Sequence, residues 1–325
     1  MNNFLLLVIR EVGVLGNNDV CVFDLSESWK VSLHGGHSGD FCEHGAGSLR
    51  EILDAAVAYG YSTFGVTTHS PPFSPNFLYE EEITAGLGVP ELGKRFSSYS
   101  EISRGLVAEY ADRIEVLRGA EIEVVPSGSY AIDVALLREV YELDYVVGSV
   151  HWVDEIPIDI NRYEFDRVVA NSGGLESFLV RYFELVGEMI YSVRPEVVGH
   201  IDLPRLYSEG AVEWGSGRVL DAISSSLVAA RDAGCILDLN VRALSKGLDS
   251  PFPSASIVDL ASDLGVPFCF GDDSHSVADV GVGIEAGRSF LLANGVDSIA
   301  TLGRAEGRLT KRVVSLVAAS SDDLV

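Results

Sequence analysis

Short apolar runs alternate with longer segments of helical periodicity along most of the chain. The runs, rich in Val, Ile and Phe, predict strands at 31–34, 63–69, 114–124, 144–151, 196–200, 235–240 and 266–273. The spacing of apolar residues predicts helices over 48–59, 100–112, 132–142, 175–193, 218–233, 254–264 and 284–294. Seven strands that alternate with helices are typical of an α/β fold with a mostly parallel sheet.

Polar residues follow nearly every predicted strand at its carboxyl end. In an open sheet the functional residues collect at one switch point, whereas in a barrel all the strand ends meet at one mouth. We therefore expect a barrel of seven or eight strands, with the site at the C-terminal ends of the strands. The predicted barrel domain covers residues 31–305, preceded by an extension without motifs at 1–30 and followed by a C-terminal tail at 306–325.

Composition and charge narrow the function. The chain has 325 residues, of which 47% are hydrophobic, so it can bury a sizeable core. Its 48 acidic and 23 basic residues give a formal net charge of -25, which argues against a nucleic-acid polymer or an anionic membrane as partner. Four scattered cysteines without a C-x-x-C motif suit a reducing cytoplasm. Nothing in the sequence indicates the oligomeric state.

The histidines carry the strongest chemical signal. Six of the seven lie at the end of an apolar run or in the loop that follows it. The seven are His34, His37, His44, His69, His151, His200 and His275. Imidazole is a common ligand of divalent transition metals, so their convergence at a barrel mouth predicts a multinuclear metal site.

Carboxylates end several of the same runs. Glu121 and Glu123 are two residues apart on a predicted strand, so both face the same side. Asp273 shares a face with His275 if the chain stays extended, whereas Asp272 points elsewhere. His200 likewise shares a face with Asp202.

These residues stand in an ordered series of motifs. The series is H-G-G-H-S-G-D-F-C-E-H-G (34–45), T-T-H (67–69), G-A-E (119–121), G-S-V-H (148–151), G-H-I-D (199–202) and D-S-H (273–275). It resembles the polymerase and histidinol phosphatase (PHP) superfamily over roughly residues 31 to 285. The stretches 148–159, 237–254 and 279–281 look specifically like its histidinol-phosphate phosphatase branch.

The resemblance implies a distorted (β/α)7 TIM-like barrel with three divalent metal ions, which could be zinc, iron or manganese. Carried over by position, one ion would be held by His34, His37, Glu121 and Asp273. A second would be held by Glu121, His151 and His200, and a third by His44, His69 and His275.

The opening motif departs from the family, which usually writes it H-x-H. Here His34 and His37 are three residues apart, and residues with that spacing cannot share a face of a regular strand. The glycines between them would allow a bulge that restores convergence.

The predicted reaction is hydrolysis of a small phosphate ester, most simply histidinol phosphate, by water that the ions activate. We expect Glu121 and Asp273 to be catalytic together with two arginines, Arg205 and Arg242. These arginines and Lys246 would bind the phosphate, and an acidic residue after His151 would bind the cationic end of the substrate. Our choice is Asp154, with Glu155 and Asp159 as alternatives, while Asp202 would orient His200.

Other functions remain open on the sequence. A phosphoesterase that acts on a nucleotide or on another small ester would need the same metal core. A metal-dependent amidohydrolase commonly needs a modified lysine as a bridge, yet the chain has four lysines and Glu121 stands on the expected strand. A metal-stabilised scaffold without catalysis would be expected to have lost ligands, and none is missing.

Overall fold

The computed structural model describes residues 12–15, 19–23 and 28–317. The strands are β1 (Val12–Leu15), β2 (Asp19–Phe23), β3 (Val31–Ser32), β4 (Thr63–Val66), β5 (Glu115–Arg118), β6 (Glu121–Ile122), β7 (Val147–Gly148), β8 (Trp152–Val153), β9 (Ile156–Pro157), β10 (Val197–Val198), β11 (Ile236–Asn240), β12 (Phe268–Gly271), β13 (Ser298–Ala305) and β14 (Arg308–Ser315). The α-helices are α1 (Leu49–Tyr59), α2 (Glu80–Thr84), α3 (Val89–Tyr110), α4 (Tyr130–Tyr141), α5 (Arg162–Asn171), α6 (Leu175–Val193), α7 (Arg205–Ser208), α8 (Gly217–Ala233), α9 (Arg242–Ser245), α10 (Ala255–Asp263) and α11 (Ile284–Ala293).

Two parallel sheets carry the site. One has the order β3-β4-β5 and the other has the order β12-β11-β10-β7-β6. At one seam the Leu33 amide donates to the Phe270 carbonyl over 2.8 Å, and at the other the Glu121 amide donates to the Thr67 carbonyl over 3.1 Å. The predicted α/β fold with parallel strands is confirmed, and these bonds connect the strands in the order that a seven-stranded barrel needs.

A cluster of apolar side chains fills the space that the two sheets enclose. Its buried members are Leu33, Leu117, Tyr145, Val147, Val197, Ile236, Cys269, Ala300 and Leu302. Gly65 of β4 lacks a side chain at the point where the Tyr145 hydroxyl passes to donate to the Leu33 carbonyl, and a Cβ there would collide with that hydroxyl. The strand ends that carry the site therefore lie above a closely packed apolar core.

The long helix α6 matches its prediction. Phe178, Tyr182, Leu185, Met189 and Ile190, which the sequence places on one face, are all buried. Other bounds differ: α3 begins at Val89, eleven residues before its predicted start, because Pro90 in the first turn fits a helix start.

The C-terminal region contains a β-hairpin. Strands β13 and β14 pair in antiparallel register, joined by Glu306 and Gly307 with φ angles of 52° and 76°. Two residues with positive φ suit the twist of a tight hairpin. Residues 308–315, which lie in the predicted C-terminal tail, therefore belong to a sheet. β14 also pairs with β2, which lies in the predicted N-terminal extension.

Within the described ranges, the helices are all too short or too polar to cross a membrane.

Candidate metal centre

The predicted ligands surround one cavity at the carboxyl ends of the parallel strands. The cavity has a volume of about 390 Å³. Its lining residues include His44, His69, Tyr79, Glu121, His151, Asp159, His200, Arg242, Lys246, Phe252, Asp273 and His275. His34 and His37 lie fully buried beneath it. The structure thus brings together all nine residues that the sequence assigned to metal binding.

Glu121 is at the middle of this group. Its Oε2 lies 3.2 Å from His34 Nε2 and 3.3 Å from His69 Nδ1, and its Oε1 lies 3.1 Å from His200 Nε2 and 3.4 Å from His151 Nε2. Burial raises the pKa of Glu121, but the nearby imidazoles outweigh burial and hold that pKa well below its usual range. With His37 Nε2 at 3.7 Å from Oε2, five imidazoles surround a charged carboxylate, which could bridge two cations.

The glycines after His34 solve the spacing problem. The chain leaves the line of β3 at Gly35 and Gly36, whose amides donate to Thr67 Oγ1 and Ser274 Oγ over 3.0 and 3.1 Å. Gly36 has a φ of 75°, which favours glycine. As a result His37 Nε2 lies 3.7 Å from Glu121 Oε2, on the same side as His34.

Five groups of three side chains lie close enough to hold a cation. They are His34–His37–Glu121, His34–His200–Asp273, Glu121–His151–His200, His37–His69–His275 and Cys42–His44–His69. The first group lies within the first set that the resemblance implied, and the third group is the second implied set, whereas His34–His200–Asp273 combines residues of both. The last two differ from the implied third set, because His69 is shared and Cys42 enters.

The open ring nitrogens of this group fit divalent cations. His34 Nε2, His37 Nδ1 and Nε2, and His200 Nδ1 are buried without a hydrogen-bond partner among the described residues. Buried polar atoms left unpaired cost about 1–3 kcal/mol each. In addition, the Nε2 atoms of His151 and His200 face each other at 3.2 Å. Two nitrogens bound to one tetrahedral zinc ion lie about 3.3 Å apart, given Zn–N bonds of about 2.05 Å.

Carboxylates fix the orientation of two ligand histidines. Asp238 Oδ2 accepts from His34 Nδ1 over 2.7 Å, and Glu123 Oε1 accepts from His151 Nδ1 over 2.8 Å. Burial lowers the pKa of both histidines, but nearby carboxylates outweigh burial. Glu121, Asp273 and Asp238 raise the pKa of His34 well above its usual value, and Glu123 and Glu121 raise the pKa of His151 to about 10. Because Nδ1 of each ring is bonded to a carboxylate, Nε2 is the nitrogen left to face the cations.

Asp238 is a functional residue that sequence reasoning missed. It stands within the apolar strand β11, two residues before Asn240, whose amide donates to Asp238 Oδ2 and to Asp273 Oδ2. An acid inside an apolar strand was the available signal.

The two aspartates after β12 point in different directions, although the chain does not stay extended there. Asp273, in a left-handed conformation with a φ of 47°, faces His34, His37 and His275. Burial raises the pKa of Asp273, but His34 and His275, with Arg242, lower it to about 2. Asp272 points away and accepts from the Tyr61 hydroxyl over 2.8 Å.

The two predicted phosphate-binding arginines differ. Arg205 is buried, and its guanidinium donates to Asp202, Glu209, Ser250 and the Pro251 carbonyl, so every N–H is taken. It does not line the cavity, which argues against the catalytic and phosphate-binding roles predicted for it. Asp202 also accepts from the Ser254 amide rather than from His200.

Arg242 and Lys246 do line the cavity. Arg242 Nη1 donates to the Asp273 carbonyl over 3.0 Å, while Nε and Nη2 make no hydrogen bond with any described residue.

The acidic residues after His151 also separate. Asp154 is exposed and pairs with Arg181 at 3.1 Å, outside the cavity. Asp159, which the sequence offered as an alternative, lines the cavity. The chain turns back between them because β8 and β9 form a hairpin, in which Asp154 and Glu155 occupy the turn with positive φ angles.

Comparisons with known proteins agree with this geometry. The PHP domain matches residues 34–242. A probable histidinol-phosphatase of Schizosaccharomyces pombe is 33% identical over 273 residues, which cover 83% of this chain and 88% of that protein. The histidinol-phosphatase of Saccharomyces cerevisiae is 29% identical and covers 80% of this chain and 87% of its own length.

Solved structures share the fold. A putative histidinol phosphatase from Listeria monocytogenes matches with a TM-score of 0.70 and 24% identity, over 79% of this chain and 99% of its own. The histidinol phosphate phosphatase of Lactococcus lactis, solved with zinc, L-histidinol and phosphate, matches with a TM-score of 0.62 and 18% identity over 86% and 97% of the two chains.

Proposed function

The chain belongs to the PHP domain family, and we propose that it is a histidinol-phosphatase that converts L-histidinol phosphate and water into L-histidinol and phosphate. The observation that carries this proposal is a single cavity. It is lined by the cluster of potential metal ligands around Glu121 and, at its rim, by the basic side chains of Arg242 and Lys246 and the acidic side chain of Asp159. The similarity to the two yeast enzymes over most of both chains supports the choice of substrate.

The proposed cofactors are three divalent ions, of zinc, iron or manganese. His34, His37, Glu121 and Asp273 would hold one, and Glu121 would share a second with His151 and His200. His44, His69 and His275 are near the position proposed for the third. Bound there, such ions supply positive charge to phosphoryl oxygens and lower the pKa of water.

Arg242 and Lys246 are the proposed phosphate ligands. Arg242 has free N–H groups beside Asp273, and Lys246 Nζ forms no ion pair with any described residue. Forked and charged donors bind phosphate oxygens strongly. Their position at the rim would orient the ester so that its phosphorus faces the cluster.

The opposite end of the substrate carries an amine and an imidazole. Asp159 is half-buried in the cavity wall, with Phe252 and Leu203 nearby in the same lining. A carboxylate beside apolar surface suits a cationic group attached to a flat ring. We assign recognition of this end to Asp159 in place of Asp154.

The proposed partner is therefore a small phosphate ester, not a nucleic-acid polymer, and the proposed location is the cytoplasm. The net charge of -25 supports the exclusion of a nucleic-acid polymer. Cys42, Cys235 and Cys269 are free thiols, which suits a reducing compartment.

Phosphate release from several esters tests the proposal. Histidinol phosphate, mononucleotides and a cyclic dinucleotide would be compared on one preparation whose metal content is measured. We expect the highest kcat/KM for histidinol phosphate. A mononucleotide hydrolysed more efficiently would replace it with the nucleotide phosphoesterase alternative.

A further inference from the structure

The outer part of the metal centre contains a cysteine sulfur that none of the three ion sites under the proposed function uses. Cys42 lies within 4.8 Å of ring nitrogens of His44 and His69, measured from its sulfur. It is 6% exposed, and its position is set by a tight turn in which the Cys42 amide donates to the Ser38 carbonyl and the Gly45 amide donates to the Cys42 carbonyl. The turn places Cys42 and His44 on the same side as His69.

The two histidines of this group already have the spacing of metal ligands. Their Nε2 atoms face each other at 3.3 Å. Ligand nitrogens of a tetrahedral zinc ion lie about 3.3 Å apart, so one ion between these rings fits without movement of either. The other ring nitrogen of His44 lies 3.2 Å from Glu81 Oε1, which leaves Nε2 for the ion.

His275 fits this position less well than expected. It groups with His37 and His69, and its Nδ1 lies 2.8 Å from the Asp273 carbonyl. The group that contains His44 has Cys42 as its third member.

We propose that Cys42 is a thiolate ligand of the outermost ion, with His44 and His69, and that this position takes zinc rather than manganese. The inference rests on the metal centre of the proposed function. On binding, the S–H bond breaks, a sulfur–metal bond forms and the proton leaves to solvent. Thiolate is a soft ligand that selects zinc, whereas manganese prefers oxygen ligands.

Cobalt substitution tests the sulfur ligand directly. The metal-free full chain would be reconstituted with Co²⁺, and the near-ultraviolet charge-transfer absorption that marks a cobalt–thiolate bond would be measured. We expect this absorption in the wild type and its loss in Cys42→Ser. A wild type without the absorption, or a Cys42→Ser variant that keeps it, would overturn the proposal.

A second variant covers the case in which Cys42→Ser does not fold. With Cys21, Cys235 and Cys269 all replaced by serine, Cys42 is the remaining cysteine of the sequence. We expect this variant to keep the absorption, and its loss would assign the band to another cysteine.

Competition tests the metal preference. Dialysis of the zinc-loaded protein against excess Mn²⁺ should leave at least one equivalent of zinc in the wild type and at least tenfold less at that position in Cys42→Ser. Complete replacement of zinc by Mn²⁺ in the wild type would contradict the proposed preference for zinc. Both readouts are independent of phosphate release, so a protein that shows the thiolate band without hydrolysing histidinol phosphate would refute the proposed function alone.

Discussion

The metal centre has a deep half and a rim that are built differently. The deep half consists of His34, Glu121, His151 and His200 with the supporting acids Glu123 and Asp238, and the rim consists of His44, Glu81, Asp159, Arg242 and Lys246. In the deep half His34 is fully buried, and its ring is held by a buried carboxylate at 2.7 Å. At the rim the side chains of His44 and Glu81 are 40% and 44% exposed.

This difference separates two tasks. Buried carboxylate–histidine pairs fix the ring and its proton before any ion arrives, which raises metal affinity. Exposed ion pairs are screened by water and contribute about 0–1 kcal/mol. We therefore expect the deep half to set the affinity for the two inner ions, and Asp159, Arg242 and Lys246 at the rim to set substrate recognition.

Replacement of Glu121 should have the largest effect. Glu121→Gln removes the charge that five imidazoles surround, and metal content and kcat should fall together. The loss should exceed a hundredfold, because even the indirect partners of metal ligands typically contribute about 10–100-fold. Metal analysis and phosphate release on the same sample measure both.

A matched set of carboxylates tests the contrast between the halves. Asp238→Asn and Glu123→Gln should each weaken metal binding about 10–100-fold, because the charges that orient His34 and His151 are lost. Glu81→Gln, which changes a similar bond at the rim, should weaken it less than about threefold. Chelator competition measures the three affinities, and equal losses would remove the distinction.

Position relative to strand ends explains what the sequence could predict. His151, His200 and Asp273 follow apolar runs, and parallel strands bring such positions to one mouth, so their convergence is visible in the chain. The role of Asp238 was not, because a strand's periodicity does not say which face meets His34. Cys42 was missed because its loop has no period.

The two arginines show a second limit. Arg205 and Arg242 both follow a strand-end motif, and their sequence signals are alike. Only the packing of Ser250, Pro251 and Glu209 around Arg205 takes up its donors. Competition among distant partners for one guanidinium cannot be deduced from local pattern.

The same pair gives a prediction for the rim. Arg242→Met should raise KM for histidinol phosphate about tenfold while metal content stays unchanged, since one charged hydrogen bond is worth about 1.5–3 kcal/mol. Steady-state kinetics with metal analysis measures both. An unchanged KM would return Arg242 to an ordinary surface role.

Arg205→Met is the contrasting control. It leaves Asp202 buried without its cation, which should lower the free energy of unfolding by about 3 kcal/mol. Denaturant unfolding measures that loss. In the fraction that remains folded, KM should stay near the wild-type value, because Arg205 does not line the cavity.

Asp159 should show the smallest effect and the most selective one. Asp159→Asn removes a half-buried charge that would pair with the cationic end of the substrate, which is worth about 1 kcal/mol or a fivefold change. We expect kcat/KM to fall for histidinol phosphate but not for a phosphomonoester without a cation. Asp154→Asn is the matched control, because Asp154 lies outside the cavity and pairs with Arg181. It should leave kcat/KM for both substrates unchanged. If Asp159→Asn lowered kcat/KM equally for both esters, Asp159 would shape the cavity without binding the cationic group. Recognition of that group would then lie elsewhere on the rim.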